Sequence, residues 1–361
     1  MVTPERVVVT GASGMLGSHL VHRLLADGHH VNGVDLRPPA RPAHPHLTCT
    51  AGDVRDAARL TEAMAGADAV VHCAAALPSY PAPLVRSVIV DGTRAVLSAA
   101  ADVGVRRVVH VSSTAVYGLP AVVPTPETHP REPVDAYGRA KAEAEEAVEE
   151  RRAAGMCVSV LRPKTFVGPG RLGLFAMLFE WADEGRNFPV LGRGDVRIQM
   201  LAIEDLVDAV VAALTAPPEV ANDTYNVAAA EFGTLRQDFQ AVLDAAGHGK
   251  RVVALPARPA LVTLRALQRL GLSPVYGRLL HKLLADSYVA IDKAGDRLGF
   301  RPRLSNRDAI LRAYEWWRSE RHEAAGRGSE TRPSATGNGG GGRTSREPWR
   351  QGALAMAKVF F

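Results

Sequence analysis

In YGRAK, residues 137 to 141, a tyrosine and a lysine stand four apart. On a helix Tyr137 and Lys141 share a face, so the ammonium favours the phenolate and lowers a pKa that starts at about 10. A phenol tuned in this way trades a proton with a substrate hydroxyl near neutral pH. Taken alone, such a pair is most often a surface helix pair, and its company changes the reading. Upstream, the apolar run RVVHV ends in Ser112 and Ser113. Either hydroxyl, at the carboxyl edge of a parallel sheet, is placed to hydrogen-bond a reacting oxygen.

A second group of residues suits a cofactor. In VVVTGASGMLGSHL, residues 7 to 20, three valines break into three glycines before apolar residues resume at Leu16, Leu20, Leu24 and Leu25. The valines suit a strand buried on both faces, and the later leucines suit one face of a helix. The glycines therefore sit between strand and helix, where a pyrophosphate rests on helix N–H groups if no side chain blocks it. Gly11 serves the tight turn, Gly14 the close approach of the phosphates and Gly17 the packing of helix on strand; Ser13, Met15 and Leu16 complete the turn. HHVNGVDLR, residues 29 to 37, reads as a second strand ending in Asp35, where an acid binds the ribose hydroxyls of NAD. Arg37 suits a 2′-phosphate, which leaves NADP open.

Strands and helices must alternate to put these groups on one edge, and they do. LTCTAGDV (47 to 54), DAVVHCAAA (68 to 76), RRVVHV (106 to 111), CVSVLRP (157 to 163) and TYNV (224 to 227) read as strands. Residues 56 to 66, 84 to 103 and 135 to 154 read as helices. This order predicts an α/β fold, a Rossmann-type doubly wound parallel sheet with a smaller mixed α/β substrate lobe. The boundaries are 1–162 for the NAD(P)-binding domain, 163–320 for a substrate lobe with segments returning to the sheet, and 321–361 for a disordered tail. The stretch 258 to 284 is basic and amphipathic and reads as packed on the second lobe, with a place on a membrane surface as the alternative. Residues 322 to 348 have almost no large apolar side chain and predict disorder. The terminal ALAMAKVFF is apolar again, and its role stays open.

Composition narrows the classes. At 361 residues with 47% hydrophobic and 22% charged residues, the chain is an ordinary globular one. No apolar run approaches the roughly 18 residues of a membrane span, and the start lacks the pattern of a signal peptide, so a cytoplasmic protein is expected. Cys49, Cys73 and Cys157 are isolated, which suits buried thiols and implies no metal site. The net charge of +5 comes from scattered arginines, a pattern that fits an anionic small substrate and not nucleic acid. His72 and His110, on strands, read as satisfied core histidines.

Taken in order, TGASGMLG, GDV, HCAAA, VSSTAVYG, YGRAK and LRPKTFVGPG resemble the extended short-chain dehydrogenase/reductase family, in its branch of NAD-dependent epimerases and dehydratases, over about residues 5 to 315. The resemblance implies that Gly11, Gly14, Gly17 and Asp35 bind the cofactor, Asp53 and Val54 flank the adenine, Ala74 and Ala75 line the cofactor, and Pro163 lies in its loop. It implies Ser113, Tyr137 and Lys141 as catalytic residues, with Thr114 assisting and Lys141 also touching the nicotinamide ribose. The implied reaction oxidises a substrate hydroxyl to a ketone, with a sugar-nucleotide 4-epimerase as the leading reading. Tyr80, Thr114, Lys164, Arg171 and Arg197 are substrate candidates, and the family implies a homodimer formed by the helices at 84 to 103 and 135 to 154.

Departures keep alternatives open. Asp91 stands in VDGT where the family carries an asparagine, and Ile198 stands where sugar-nucleotide enzymes carry an arginine, with Arg197 beside it. The dehydratase Asp-Glu pair is replaced by Thr114 and Ala115. Ile198 and the apolar GLFAMLFEW stretch favour, as an alternative, a dehydrogenase or reductase of a sterol-like or other non-nucleotide alcohol; a cofactor-binding module without turnover is a further alternative.

Overall fold

Apolar β-branched residues with no polar face to turn outward must be covered on both sides, and the first strand meets that demand. In the computed structural model, which describes residues 5–38, 44–170, 175–256, 259 and 284–327, Val7, Val8 and Val9 are each at most 2% exposed. They lie in β1 (Arg6–Thr10), followed by α1 (Met15–Ala26), β2 (His30–Asp35), β3 (Leu47–Ala51), α2 (Ala57–Met64) and β4 (Ala69–His72). After α3 (Ala82–Arg86) and a π-helical turn (Ser87–Asp91) come α4 (Gly92–Asp102), β5 (Arg107–Val111), a 3-10 turn (Thr114–Tyr117), α5 (Ala136–Ala153) and β6 (Val158–Pro163).

Among the described residues these strands build a seven-stranded sheet in the order β10-β6-β5-β4-β1-β2-β3, where β10 is Thr224–Val227. Every neighbouring pair is parallel. The chain runs outward from β1 to β3 and then returns to start β4 on the other side of β1. That reversal opens a crevice at the carboxyl ends of β1 and β4, the place where doubly wound sheets take ligands. One face is covered by α1 and α7 (Ile203–Thr215), with Leu20, Leu24, Leu206 and Val210 in the core; the other holds Leu60, Met64, Val96, Leu97 and Val148.

The chain divides into two units. The first comprises residues 1–166, 199–230 and 288–305, and the second 167–198, 231–287 and 306–361. Short elements complete the first unit: β9 (Leu201–Ala202), α8 (Pro218–Ala221) and α10 (Asp292–Leu298). β7 (Phe166–Val167) stands at the junction. The second unit contains α6 (Phe175–Asp183), β8 (Phe188–Leu191), α9 (Leu235–Ala246), β11 (Val252–Leu255) and α11 (Asn306–Arg327). Parallel β8 and β11 pair there. Phe179, Trp181, Phe188, Phe239 and Tyr314 pack ring against ring.

Several expected boundaries move. β3 stops at Ala51 and β4 at His72, so GDV and CAAA leave the sheet and line its edge. The helix expected over 84–103 starts at Ala82 and carries the π-helical turn in its course. At the end of that turn Gly92 comes against Val54, where a Cβ would stand 2.9 Å from Val54 Cγ2. α11 continues to Arg327, into the segment expected to be disordered, because Glu323, Ala324 and Ala325 are good helix formers. The stretch 258–284, apart from its residues 259 and 284, and the tail beyond 327 lie outside the described residues.

Candidate active site

The cofactor edge is made mostly of backbone. β1 ends at Thr10 and turns at Gly11 with φ +71°, where a Cβ would stand 2.8 Å from both the backbone N and Cα of Ala74. A Cβ on Gly17 would overlap the Gly11 carbonyl oxygen and stand 2.8 Å from Ala12 Cα. Gly14 precedes α1 without a side-chain cap, whereas Asp56, Asp135 and Thr234 cap α2, α5 and α9. The positive end of α1 is thus left bare of side chains, as an anion requires. Ser13 stands exposed in the turn, Met15 is half-buried, and Leu16 turns into the core.

At the end of β2, Asp35 accepts the Ser13 and Arg37 backbone N–H groups, both at 3.1 Å. The Ser13 hydroxyl donates to the Arg37 carbonyl at 3.2 Å, which joins the glycine turn to the end of β2. Asp53 is gripped by Arg55 at 2.9 and 2.5 Å; the guanidinium holds its carboxyl below the usual range. Val54 is buried, Ala74 half-buried and Ala75 exposed.

A buried histidine fixes the spacing of this edge. The Thr93 hydroxyl donates to the Ile89 carbonyl at 2.6 Å, so its oxygen accepts from His72 Nε2 at 3.1 Å. Nδ1 then accepts from the Thr10 hydroxyl at 2.8 Å, whose oxygen accepts the Ala74 N–H at 3.4 Å. His72 is held neutral, its pKa pushed down to about 3 by burial and by the Lys141 charge. His110, its register neighbour on β5, is 1% exposed, and among the described residues neither ring nitrogen has a hydrogen-bond partner. His72 is therefore a satisfied core histidine, and His110 is not.

The reaction edge is made of side chains. Asp135 caps α5 through the Gly138 N–H at 2.6 Å, which starts the helix one residue before Tyr137. Tyr137 is half-buried beside Val85, Ile89, Ala140 and Ala144. Gly138 brings the helix onto the turn that follows β5, where a Cβ would lie 2.6 Å from the Ala115 carbonyl oxygen. One turn on, Lys141 is 3% exposed and donates from Nζ to the Val111 carbonyl at 2.7 Å. Burial pushes its pKa down to about 8, against the Glu145 carboxylate one helical turn on, which holds it up. Ser113 caps the 3-10 turn by accepting the Ala115 N–H at 3.2 Å, and Thr114 donates to the Pro163 carbonyl at 3.3 Å. Pro163 is itself buried at the end of β6.

Behind this edge lies a charged network that the sequence reading missed. Ser112 donates to Glu145 at 2.5 Å, and Arg162 grips the same carboxylate from Nε at 3.0 Å and from Nη2 at 2.5 Å. Arg162 also donates to the Tyr117 hydroxyl at 2.8 Å, which donates to Asn226 at 2.8 Å. The signals were present in the sequence: an acid four residues beyond Lys141, and an arginine inside the apolar strand VSVLRP.

Of the expected substrate residues, Tyr80, Thr114 and Lys164 fall in the first unit and Arg197 in the second. Tyr80 is 49% exposed, and Lys164 is buried, its backbone N–H donating to Val227 at 3.0 Å. Arg197 belongs to the second unit, where its guanidinium lies 4.6 Å from the Phe232 ring centroid. Asp91 is exposed and faces Arg86 at 3.8 Å. Arg171 lies outside the described residues.

Comparison with known proteins shows the family. The family described as NAD dependent epimerase/dehydratase matches residues 7–228. The UDP-glucose 4-epimerase of Mycolicibacterium smegmatis is 32% identical, covering 74% of this chain and 93% of that protein. The 3 beta-hydroxysteroid dehydrogenase/Delta 5→4-isomerase of Mycobacterium tuberculosis is 29% identical, covering 86% and 90%. Among solved structures, the dTDP-glucose 4,6-dehydratase DesIV of Streptomyces venezuelae, with NAD bound, matches with a TM-score of 0.70 at 27% identity, covering 88% of this chain and 98% of that one.

Proposed function

Because the chain belongs to the NAD-dependent epimerase/dehydratase family, we propose that it oxidises a secondary hydroxyl of a nucleotide sugar through Ser113, Tyr137 and Lys141, and acts as a 4-epimerase. The observation that carries this reading is the position of Lys141. Its ammonium, on the helix face of Tyr137, is tied to the last carbonyl of β5 two residues before Ser113.

The residues of the cofactor edge fit an adenine dinucleotide. Gly11, Gly14 and Gly17 keep the α1 N-terminus clear for a pyrophosphate, and Asp35 ends β2 as a ribose acceptor. When bound, NAD supplies the acceptor for the hydride released from the substrate carbon. Tyr137, as phenolate, takes the proton of the substrate hydroxyl, and Ser113 donates a hydrogen bond to that oxygen. Lys141 keeps positive charge beside the phenolate. With its pKa at about 8 the amine is mostly protonated at pH 7 and loses its proton just above that.

A second reading is favoured by particular observations. Ile198 replaces the arginine expected of sugar-nucleotide enzymes, and the 29% similarity to a hydroxysteroid dehydrogenase spans nearly the whole of that protein. On this reading the same three residues oxidise a non-nucleotide alcohol.

One experiment separates the two. The purified protein is given NAD with UDP-, GDP-, dTDP- and CDP-sugars while NADH absorbance is followed, and the products are resolved by chromatography. An isomeric sugar without net NADH supports the epimerase. No turnover of any nucleotide sugar, with NAD bound, favours the second reading, which a panel of hydroxysteroids with NADH release then tests.

A further inference from the structure

α5 meets the end of β5 at three points. Gly138 lies on the Ala115 backbone, Lys141 holds the Val111 carbonyl, and Glu145 accepts the Ser112 hydroxyl. Glu145 is 2% exposed, so its carboxylate has left water, and the geometry requires partners on several sides. Arg162 of β6 meets it with two nitrogens, and Arg131, before α5, approaches at 3.4 Å. The bonds from Lys141 and Glu145 converge on the two residues that precede Ser113. Lys141 stands one helical turn from the carboxylate and donates its hydrogen bond to a neutral carbonyl.

We propose that Glu145 is a positioning residue of the reaction edge: through Ser112 it fixes the end of β5 against α5, and through its charge it keeps the Lys141 ammonium in place beside Tyr137. The inference rests on the reading of Ser113, Tyr137 and Lys141 as the reacting set. Tyr137 shares its helix face, and the other titratable groups in electrostatic interaction with Lys141 are Cys73 and His72 from β4 and its end, His110 from β5, and Glu145 on α5. Of these, Glu145 supplies the anion. Cys73 is a thiol pushed up to about 12 by burial, and both histidines are neutral near pH 7. The ammonium therefore depends on a carboxylate that also holds the strand end.

The test is a titration that needs no substrate. The sequence contains six lysines, at positions 141, 164, 250, 282, 293 and 358, so protein carrying 13C at lysine Cε gives a short spectrum, and Lys141→Met identifies the signal. In the wild-type protein the Lys141 midpoint is expected at about 8. Glu145→Gln, which keeps an acceptor for Ser112 but removes the charge, should lower that midpoint by about one pH unit. Glu145→Asp should restore it. Ser112→Ala, which leaves the Glu145–Arg162 pair intact, should leave the midpoint where it is and lower kcat about tenfold, with KM and NAD affinity changed less than threefold. If Glu145→Gln fails to fold because Arg162 is left buried with no carboxylate, Ser112→Ala, which keeps the ion pair, still tests the link to the strand end through kcat. An unmoved Lys141 midpoint in a folded variant lacking the Glu145 charge overturns the proposal, as does full kcat in Ser112→Ala. The titration stands apart from the catalytic reading, which fails separately if Tyr137→Phe keeps full turnover.

Discussion

The two edges of the candidate site solve opposite problems. Around β1 and β4 the sequence removes side chains, so Gly11, Gly14 and Gly17 let backbone meet backbone and leave the α1 N-terminus bare. Around β5 and α5 it adds them, and Ser113, Tyr137 and Lys141 stand on a helix and a turn locked together by polar bonds. Each edge has a buried support of matching character. His72, neutral and bonded at both nitrogens, spaces the first; Glu145, charged and paired with Arg162, anchors the second. On the proposed reading, the first edge is sensitive to atoms gained and the second to atoms lost.

The largest effect should come from the loss of one oxygen at the reaction edge. Tyr137→Phe should lower turnover by about 10²- to 10⁴-fold, while NAD affinity measured by calorimetry changes less than threefold. Equal losses in turnover and binding would show that the edges are not separable. The reciprocal change adds one methyl at the cofactor edge. Gly17→Ala places a Cβ against the Gly11 carbonyl and 2.8 Å from Ala12 Cα, so it should destabilise the fold by about 1–3 kcal/mol. NAD binding should weaken in step. Urea unfolding and calorimetry read both, and wild-type values for the two would break the contrast.

The same contrast governs what was legible in the sequence. An edge built by omission leaves a trace that is weak alone, because Gly11, Gly14 and Gly17 also suit a loop before a close-packed helix, and that Asp35 at the end of the next strand sharpens. Tyr137 and Lys141 were legible as a helical pair only beside that trace. Glu145 and Arg162 were not, because an acid on α5 reads as surface, and only the packing of α5 on β5 and β6 puts it at 2% exposure. The second unit was least legible. β8 and β11 are four residues each and lie far apart in sequence, and α9 and α11 carry mixed faces whose burial depends on distant aromatic partners. In the histidines the sequence showed position but not fate: both sit at the same register on neighbouring strands, and only one found partners.

Acid should expose the buried supports next. In the unfolded chain a histidine takes a proton at about pH 6.5, whereas His72 resists down to about 3 and His110 is also held well below the ordinary value by burial. The unfolded state then binds more protons than the folded one, so stability must fall as pH drops below about 6.5 toward about 3. Each histidine contributes a slope of about 1.4 kcal/mol per pH unit within its window. Urea midpoints measured at pH 7, 6, 5 and 4 should decline steadily from pH 6. A flat profile would mean that neither ring is held neutral.

The smallest effect is the sharpest comparison. His72 and His110 face each other with ring centroids 5.4 Å apart, yet only His72 joins Thr10, Ala74 and Thr93. Replacing His110 with phenylalanine removes two ring nitrogens that have no partner, so His110→Phe should lie within about 1 kcal/mol of wild type at pH 7 and should lose one histidine's share of the acid slope. His72→Phe deprives the Thr10 hydroxyl of its acceptor and unties Ala74 from α4, and should cost about 1–3 kcal/mol and weaken NAD binding. If the two variants behaved alike in urea and in calorimetry, the hydrogen-bond chain through His72 would not be what spaces the glycine turn from Ala74, and the cofactor edge would owe its shape to packing alone.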